Sequence, residues 1–488
     1  MPSLPFIPVF LWTDILIYLL LGVVTYSVLY IRNHAHLKAP WKLVIKRKRG
    51  VISIMVLMCY VFVGLLDSVH FRLTIDDQQK SKQQHYETQV TSVLDLAIMP
   101  LREQVEKTYS APFATRSFSR EMQKDVSSEL SYVYPKLHYG GAHLESEKEK
   151  LQDILSTIII SSIKALITWL LLSALLINYL AKRYQNSWFK QYKDILIGSA
   201  RYPFRTVLLM LGIILLTVFN VAALSVDYHV LGTDKVGQDV LYQSLKSIRT
   251  GLVIGTLTTL VMLPLAISMG IAAGYYRGWI DDVIQYVYTT LNSIPGVLLI
   301  AAAVLMLQVY MNNHPENFVT ITERADMRLL FLCIILGVTS WTGLCRILRG
   351  ETLKLRESEY VLASRALGAS SLSILHRHIL PNLMHIVMIS VVLDFSGLVL
   401  AEAVLSYVGV GVDPSMISWG NMINSARLEM ARDPVVWWSL TAAFFFMFLL
   451  VLAANLFADV VRDAFDPKGH KQNDCIIKGD GIINPHRV

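Results

Sequence analysis

The sequence predicts an all-α polytopic membrane protein with about nine transmembrane helices and a small helical domain outside the membrane. Three observations lead there. Of 488 residues, 54% are hydrophobic and only 17% charged, with a mean hydropathy of +0.47; soluble domains carry about 25% charged residues. Nine apolar runs approach the ~20 residues needed to cross a bilayer core. One polar block of 87 residues, 67–153, interrupts the series. Such a composition excludes a disordered chain, a coiled coil and a secreted disulfide scaffold.

The runs are Ile15–Ile31, Val51–Leu66, Leu155–Ala181, Thr206–Val226, Gly251–Tyr275, Ile284–Tyr310, Leu329–Ile347, Leu383–Ser406 and Val435–Ala458. The first lacks the basic n-region and the small-residue cleavage site of a signal peptide. Basic residues in short loops set the orientation. Residues 32–49 hold seven Lys and Arg and no acid, and residues 182–205 hold six against one acid. Both are expected in the cytoplasm. The N-terminus and residues 67–153 then lie outside, and the C-terminus lies inside. The net charge of +7 thus reports topology and not a nucleic-acid partner.

The division expected is two N-terminal transmembrane helices with a basic loop (1–66), an extracytoplasmic domain (67–153), a third transmembrane helix and linker (154–204), a six-helix core (205–468) and a cytoplasmic tail (469–488). The outside block carries 25 charged residues. Val90, Leu94, Ala97, Leu101 and Val105 recur at helical spacing, with a kink expected near Pro100. Met122, Val126 and Leu130 suggest a second helix. Tyr139-Gly140-Gly141 reads as a turn. His85, His138 and His143 are too scattered to form a metal site. The cysteines, Cys59, Cys333, Cys345 and Cys475, form no C-x-x-C pair and read as small core residues.

The later spans contain helix breakers at depth, Pro264 and Pro295-Gly296. Breaks there are tolerated where backbone is buried in protein or lines a cavity. Gly251-x-x-x-Gly255 and Gly270-x-x-x-Gly274 offer small faces for close packing. Ionisable residues within a span cost roughly 2.5–3.5 kcal/mol at its centre on insertion scales. Asp394 and Glu402 share one span and are candidates for a polar translocation path; the blander alternative is that Glu402 bonds locally near the outer interface. Lys164 sits near a span end, where it can snorkel.

Between the seventh and eighth runs lies the stretch from Arg349 to Asn382. It reads as two short helices broken at Gly368, with Ser370 or Ser371 capping the second and Pro381 in the first turn of the next span. Such a protruding pair suits either docking or an ordinary interhelical loop.

Here the chain resembles the inner-membrane permease subunits of ABC importers for dipeptides, oligopeptides and nickel. Their E-A-A-x3-G-x9-I-x-L-P loop corresponds to Leu362-Ala363-Ser364-x3-Gly368 followed by Leu380-Pro381, with Leu362, Ser364 and His378 as departures. His229-Val-Leu-Gly232-Thr233-Asp234-Lys-Val-Gly237-Gln-Asp239 resembles H-x-L-G-T-D-x-x-G-R-D, with Gln238 replacing Arg. Ala401-Glu402-Ala403-Val-Leu-Ser-Tyr-Val-Gly409-Val-Gly411, Ser418-Trp419-Gly420-Asn421-Met422 and Asn455 to Pro467 match further family elements in the same order. The likeness covers about residues 205–468.

What the resemblance implies is a non-enzymatic transport subunit of the bacterial inner membrane. Its partners would be a second permease, two ATP-binding subunits and an extracytoplasmic solute-binding protein, within membrane lipid. ATP and Mg would be held by the ATPases; no G-x-x-x-x-G-K-[ST] occurs in this chain, and no cofactor is expected in it. Glu359, Tyr360, Ala363, Gly368, Ala369 and Pro381 would form the ATPase-coupling loop. Gly232, Asp234 and Trp419 would face the binding protein. Peptides are the first expected cargo and nickel the alternative. A membrane sensor built around residues 67–153 and an ion-driven secondary transporter are the rival classes.

Overall fold

The computed structural model describes residues 6–75, 85–86, 90–124, 130–185, 187–198, 202–317 and 320–465. Among these, nine helices are long and apolar enough to cross a membrane: Trp12–Asn33, Lys48–Asp67, Lys150–Tyr184, Phe204–Leu224, Val240–Tyr276, Gly296–Asn313, Ile321–Arg356, Ser371–Tyr407 and Trp438–Phe465. We call them the first to ninth spans. The expected all-α polytopic class is therefore the observed one. Residues 469–488 and Cys475 lie outside the described residues.

The sixth apolar run is two helices. Trp279–Ser293 ends where Ile294 turns extended, and Gly296–Asn313 starts after Pro295. A residue before proline is driven out of the helical region, so the Pro295-Gly296 pair cuts the run. Pro264, by contrast, sits inside the unbroken fifth span.

The fifth and seventh spans pack lengthwise as the centre of the molecule. Their closeness depends on small residues. A Cβ at Gly270 would lie 2.9 Å from the Cys345 carbonyl oxygen, and one at Gly274 would lie 2.6 Å from Thr352 Cβ. Around the pair sit two buried apolar clusters, one holding Met262, Ala266, Trp341, Cys345 and Leu348, the other Ile254, Leu257, Leu329 and Leu332. The eighth and ninth spans cover one side with Phe395, Met447 and Leu450. The second span joins there too, its Tyr60 hydroxyl donating to the Phe446 carbonyl over 2.8 Å. The third span binds the fourth, where Trp169 Nε1 donates to the Leu208 carbonyl at 2.7 Å.

Residues 67–153 depart from the helical expectation. Among the described residues between Asp67 and Lys150, the helices are Val93–Ala97 and Met99–Glu103, split at Ile98 with Pro100 in the first turn of the second. Ser92 and Asp95 close a capping box at the first. Val90 and Val105 fall outside both. The second expected helix is a hairpin, Glu121–Lys124 against Leu130–Val133, with Met122 opposite Tyr132 and Lys124 opposite Leu130. Spacing of four among three apolar residues fits a hairpin as well as a helix when the residues occupy facing strands. Val126 lies outside the described residues. A further sheet pairs Phe6–Val9 with His70–Ile75, antiparallel, with Phe6 opposite Leu73. His85–Tyr86 and Thr91–Ser92 also join His70–Ile75. The Tyr139-Gly140-Gly141 turn is present.

Candidate functional site

Two regions hold most of the expected site residues, and we name them by their left-handed glycines, Gly368 and Gly237.

At the Gly368 end, Arg356 closes the seventh span and Glu359–Ala366 forms a short helix. Its register is fixed by Val361, which is buried beside Ile374, Ile379 and Leu383. Gly368 then turns at φ +81°, a conformation that L side chains resist. Its amide donates to the Arg365 carbonyl at 3.1 Å. Ser370 caps the next turn by accepting from the Ser373 amide, and a π turn over Leu375–Ile379 leads into Leu380-Pro381.

The face left over is open. Glu359, Tyr360, Leu362, Ala363, Gly368 and Pro381 are exposed, Ala369 is half-buried, and Leu367 and Leu372 are 88% and 75% exposed. The structure thus brings all six residues expected in a coupling loop onto or beside one ledge. Two ion pairs fasten it from behind. Arg349 grips Asp281 through Nε and a terminal nitrogen at 2.6 and 2.8 Å, and Arg277 meets Glu357 at 2.8 Å. The hydrogen bonds from Arg349 hold the Asp281 carboxyl below its usual range despite partial burial. Sequence reading missed this brace, because Asp281 and Arg349 are 68 residues apart.

At the Gly237 end, the 229–239 loop does not form a free surface. His229 Nδ1 lies 2.8 Å from Asp239 Oδ2, and His229 Nε2 lies 3.6 Å from Glu106 Oε1. Glu106 also accepts from the amides of His138, Tyr139 and Gly140 at 3.1, 2.7 and 3.3 Å. Thr233 Oγ1 accepts from the Ser110 amide and donates to the Thr108 carbonyl. Asp239 caps the fifth span through the Leu241 and Tyr242 amides. Burial opposes charge on His229, but the two carboxylates overcome it and raise the imidazole to about 9. Burial likewise raises Glu106, and the imidazolium with three amides reverses this, bringing it to about 2.

The three residues expected to face a binding protein therefore separate. Gly232 is buried, and a Cβ there would lie 2.5 Å from the Ser110 carbonyl oxygen. Trp419 is 1% exposed, packs on Gly251 and donates Nε1 to the Ser244 carbonyl at 3.1 Å. For these two the surface assignment fails, because Ser110 and Trp438 cover Gly232, and Trp419 packs into Tyr60 of the second span and Ser244 and Gly251 of the fifth. Asp234 alone stays half-exposed. It accepts from the Val236 and Gln238 amides and from Gln243 Nε2, and it lines a cavity of about 390 Å³ together with Tyr109, Asn421 and Glu429.

Asp394 and Glu402 share the eighth span but not an environment. Glu402 is 3% exposed and accepts from Ser406 and Ser418 hydroxyls at 2.8 and 3.0 Å, which is the local bonding foreseen as its alternative. It also accepts from the Gly420 amide. Asp394 is half-buried.

A third cluster was not foreseen. Arg249 of the fifth span meets Asp14 of the first at 2.6 Å and Asp326 of the seventh at 4.0 Å. Thr13 bonds Asp326 through both its amide and its hydroxyl, and His70 lies 2.8 Å from Asp14. Beside it, Lys246 meets Asp95 at 2.6 Å and Asp67 at 3.5 Å. The signal was present: Asp14 and Arg249 are ionisable residues within spans. Apolar runs that begin at Ile15 and Gly251 leave both just outside, whereas the helices begin at Trp12 and Val240.

Two comparisons bear on this arrangement. Residues 266–471 match the family described as binding-protein-dependent transport system inner membrane component. The chain is 33% identical over 240 residues to the glutathione transport system permease protein GsiD of Pectobacterium atrosepticum, covering 49% of this chain and 73% of that one. It is 31% identical over 239 residues to the oligopeptide transport system permease protein OppC of Mycobacterium bovis, covering 49% and 76%. It is also 31% identical over 240 residues to the dipeptide transport system permease protein DppC of Bacillus subtilis, covering 49% and 69%. The chain belongs to the peptide branch of the ABC importer permeases. It is a multi-pass inner-membrane transport component.

Proposed function

We propose that the chain forms half of the transmembrane pathway of an ATP-driven peptide importer and receives the motion of separate ATPase subunits at the Gly368 ledge. One observation carries this: an exposed two-helix ledge, Glu359 to Leu372, stands on a fully buried Ile374–Ile379–Leu383 base that continues directly into the eighth span. A push on the ledge has nowhere to go but the spans, since close-packed interiors transmit displacement. ATP and Mg belong to the ATPases, a second permease completes the pathway, and a solute-binding protein delivers cargo at the Gly237 end. Alternation of the nine spans supports cytoplasmic placement of the ledge, together with the basic 32–49 and 182–205 segments. Within the pathway, half-buried Asp394 is the candidate polar contact.

Gly368→Leu tests the reading in the reconstituted transporter. Membrane insertion persists, while ATP hydrolysis proceeds without uptake of labelled short peptides. Uptake at the wild-type rate would remove the coupling role. Parallel assays with labelled nickel identify the cargo.

A further inference from the structure

Between the third and fourth spans lies a ten-residue helix, Trp188–Ile197, that the transport reading does not use. Its ends are tied to two membrane-spanning helices, so it sits at the membrane edge. Its circumference divides into three sectors at 100° per residue. Gln191 and Ile195 are buried, Ile195 against Ile177, Leu180 and Leu208 of the adjoining spans. This fixes the helix's rotation. About 90° round come Trp188, Tyr192, Leu196 and Phe189, all exposed, Phe189 by 70%. Trp188 and Tyr192 stack at 5.6 Å within that face. Roughly 165° from the apolar face stand Lys190 and Asp194, with Lys193 and Ile197 between. With protein on one side, an apolar row at right angles to it and charge opposite that row, the helix has the sector order of one lying in a bilayer surface beside a span.

We propose that Trp188–Ile197 lies in the plane of the bilayer interface and recognises anionic phospholipid headgroups. Trp188, Phe189, Tyr192 and Leu196 enter the acyl boundary, where aromatic rings settle. Lys190 and Lys193 meet the headgroups, and Lys182, Arg183 and Arg205 at the two span ends extend the same basic field. Residues 182–205 hold six basic side chains against Asp194, which makes the field complementary to anionic lipid.

The test uses the full chain with its four cysteines replaced by serine, in nanodiscs of phosphatidylcholine alone or mixed with phosphatidylglycerol. Nitroxide probes at Phe189→Cys and Leu196→Cys should be reached by oxygen and shielded from a water-soluble nickel chelate, while a probe at Lys190→Cys is open to the chelate. Equal chelate access at all three overturns the interfacial placement. So does shielding of Phe189→Cys that appears only when partner subunits are added, which would make the face a protein contact. Competition for labelled phosphatidylglycerol tests the headgroup claim separately. K190Q/K193Q should weaken its retention about thirtyfold, from ~1 kcal/mol per basic residue, with probe depth unchanged; unaltered retention overturns it.

Discussion

The two ends of this molecule carry family sequence of comparable clarity and use it oppositely. At the Gly368 end the matching residues stand in the open, braced from behind by Arg349–Asp281 and Arg277–Glu357. At the Gly237 end they are stitched under residues 106–141, so that His229, Gly232 and Thr233 support another part of the same chain. A motif marks a backbone geometry. Whether that geometry meets a partner or an added segment depends on what else the chain contains. Here the N-terminal residues supply Asp14, Asp67, Asp95 and Glu106, the fifth span supplies Lys246 and Arg249, and the loop before it supplies His229.

The largest expected effect follows from that exchange of charge. Arg249→Ala leaves Asp14 and Asp326 facing each other in a dehydrated site. Breaking a buried pair on one side costs about 3–5 kcal/mol. The detergent-solubilised protein should lose most of its folded fraction, read by size exclusion and by intrinsic-fluorescence melting. An unchanged melting temperature would mean that the cluster is not holding the first span to the fifth and seventh.

The next effect compares the two glycines directly. Both have positive φ, +79° at Gly237 and +81° at Gly368, so alanine at either is strained by about 1–2 kcal/mol. At Gly237 the added Cβ would also lie 1.7 Å from the Glu106 carbonyl oxygen, whereas at Gly368 nothing lies within 4 Å. Gly237→Ala should therefore release residues 106–141 to proteolysis, and Gly368→Ala should leave them protected. Equal protection in both variants would contradict the covered loop.

How much of this was legible follows the range of each interaction. Nine spans follow from hydropathy, a local property, and the Gly368 break follows from a helical pattern ended by glycine. The hairpin at 121–133 was misread, because three apolar residues in a polar stretch satisfy two periodicities. The Arg249 cluster was lost at the drawn edges of the runs, although the charges themselves were visible. Burial of Gly232 required the path of residues 106–141 over the loop, and burial of Trp419 its packing on Ser244, Gly251 and Tyr60, contacts across more than a hundred residues that no spacing records.

A smaller effect separates the ends by pH. His229 is raised from 6.5 to about 9, so its contribution, on the order of 3 kcal/mol, is complete below about pH 6.5 and lost as pH rises through 9. Glu106 is depressed from 4.5 to about 2, so its contribution is complete above pH 4.5 and lost as pH falls through 2. Protection factors for hydrogen exchange in residues 106–141, with the intrinsic base-catalysed rate divided out, should be highest between these limits and fall on the alkaline side. His229→Gln should abolish the alkaline fall in protection, and residues 357–372 should show no such fall.

The smallest change in stability is expected where the consequence for partners is greatest. Leu372 is 75% exposed and Leu367 88%, and serine at either removes no buried contact. Surface changes of this kind stay within about 0.5 kcal/mol. Yet two large apolar side chains are held out on a capped, braced ledge, in no core cluster among the described residues. Leu367→Ser/Leu372→Ser should therefore melt like the wild type and lose co-purifying ATPase subunits. Retention of those subunits at wild-type levels would move the docking surface away from the ledge, leaving Val361, Ile374 and Ile379 as the base of an ordinary interhelical turn.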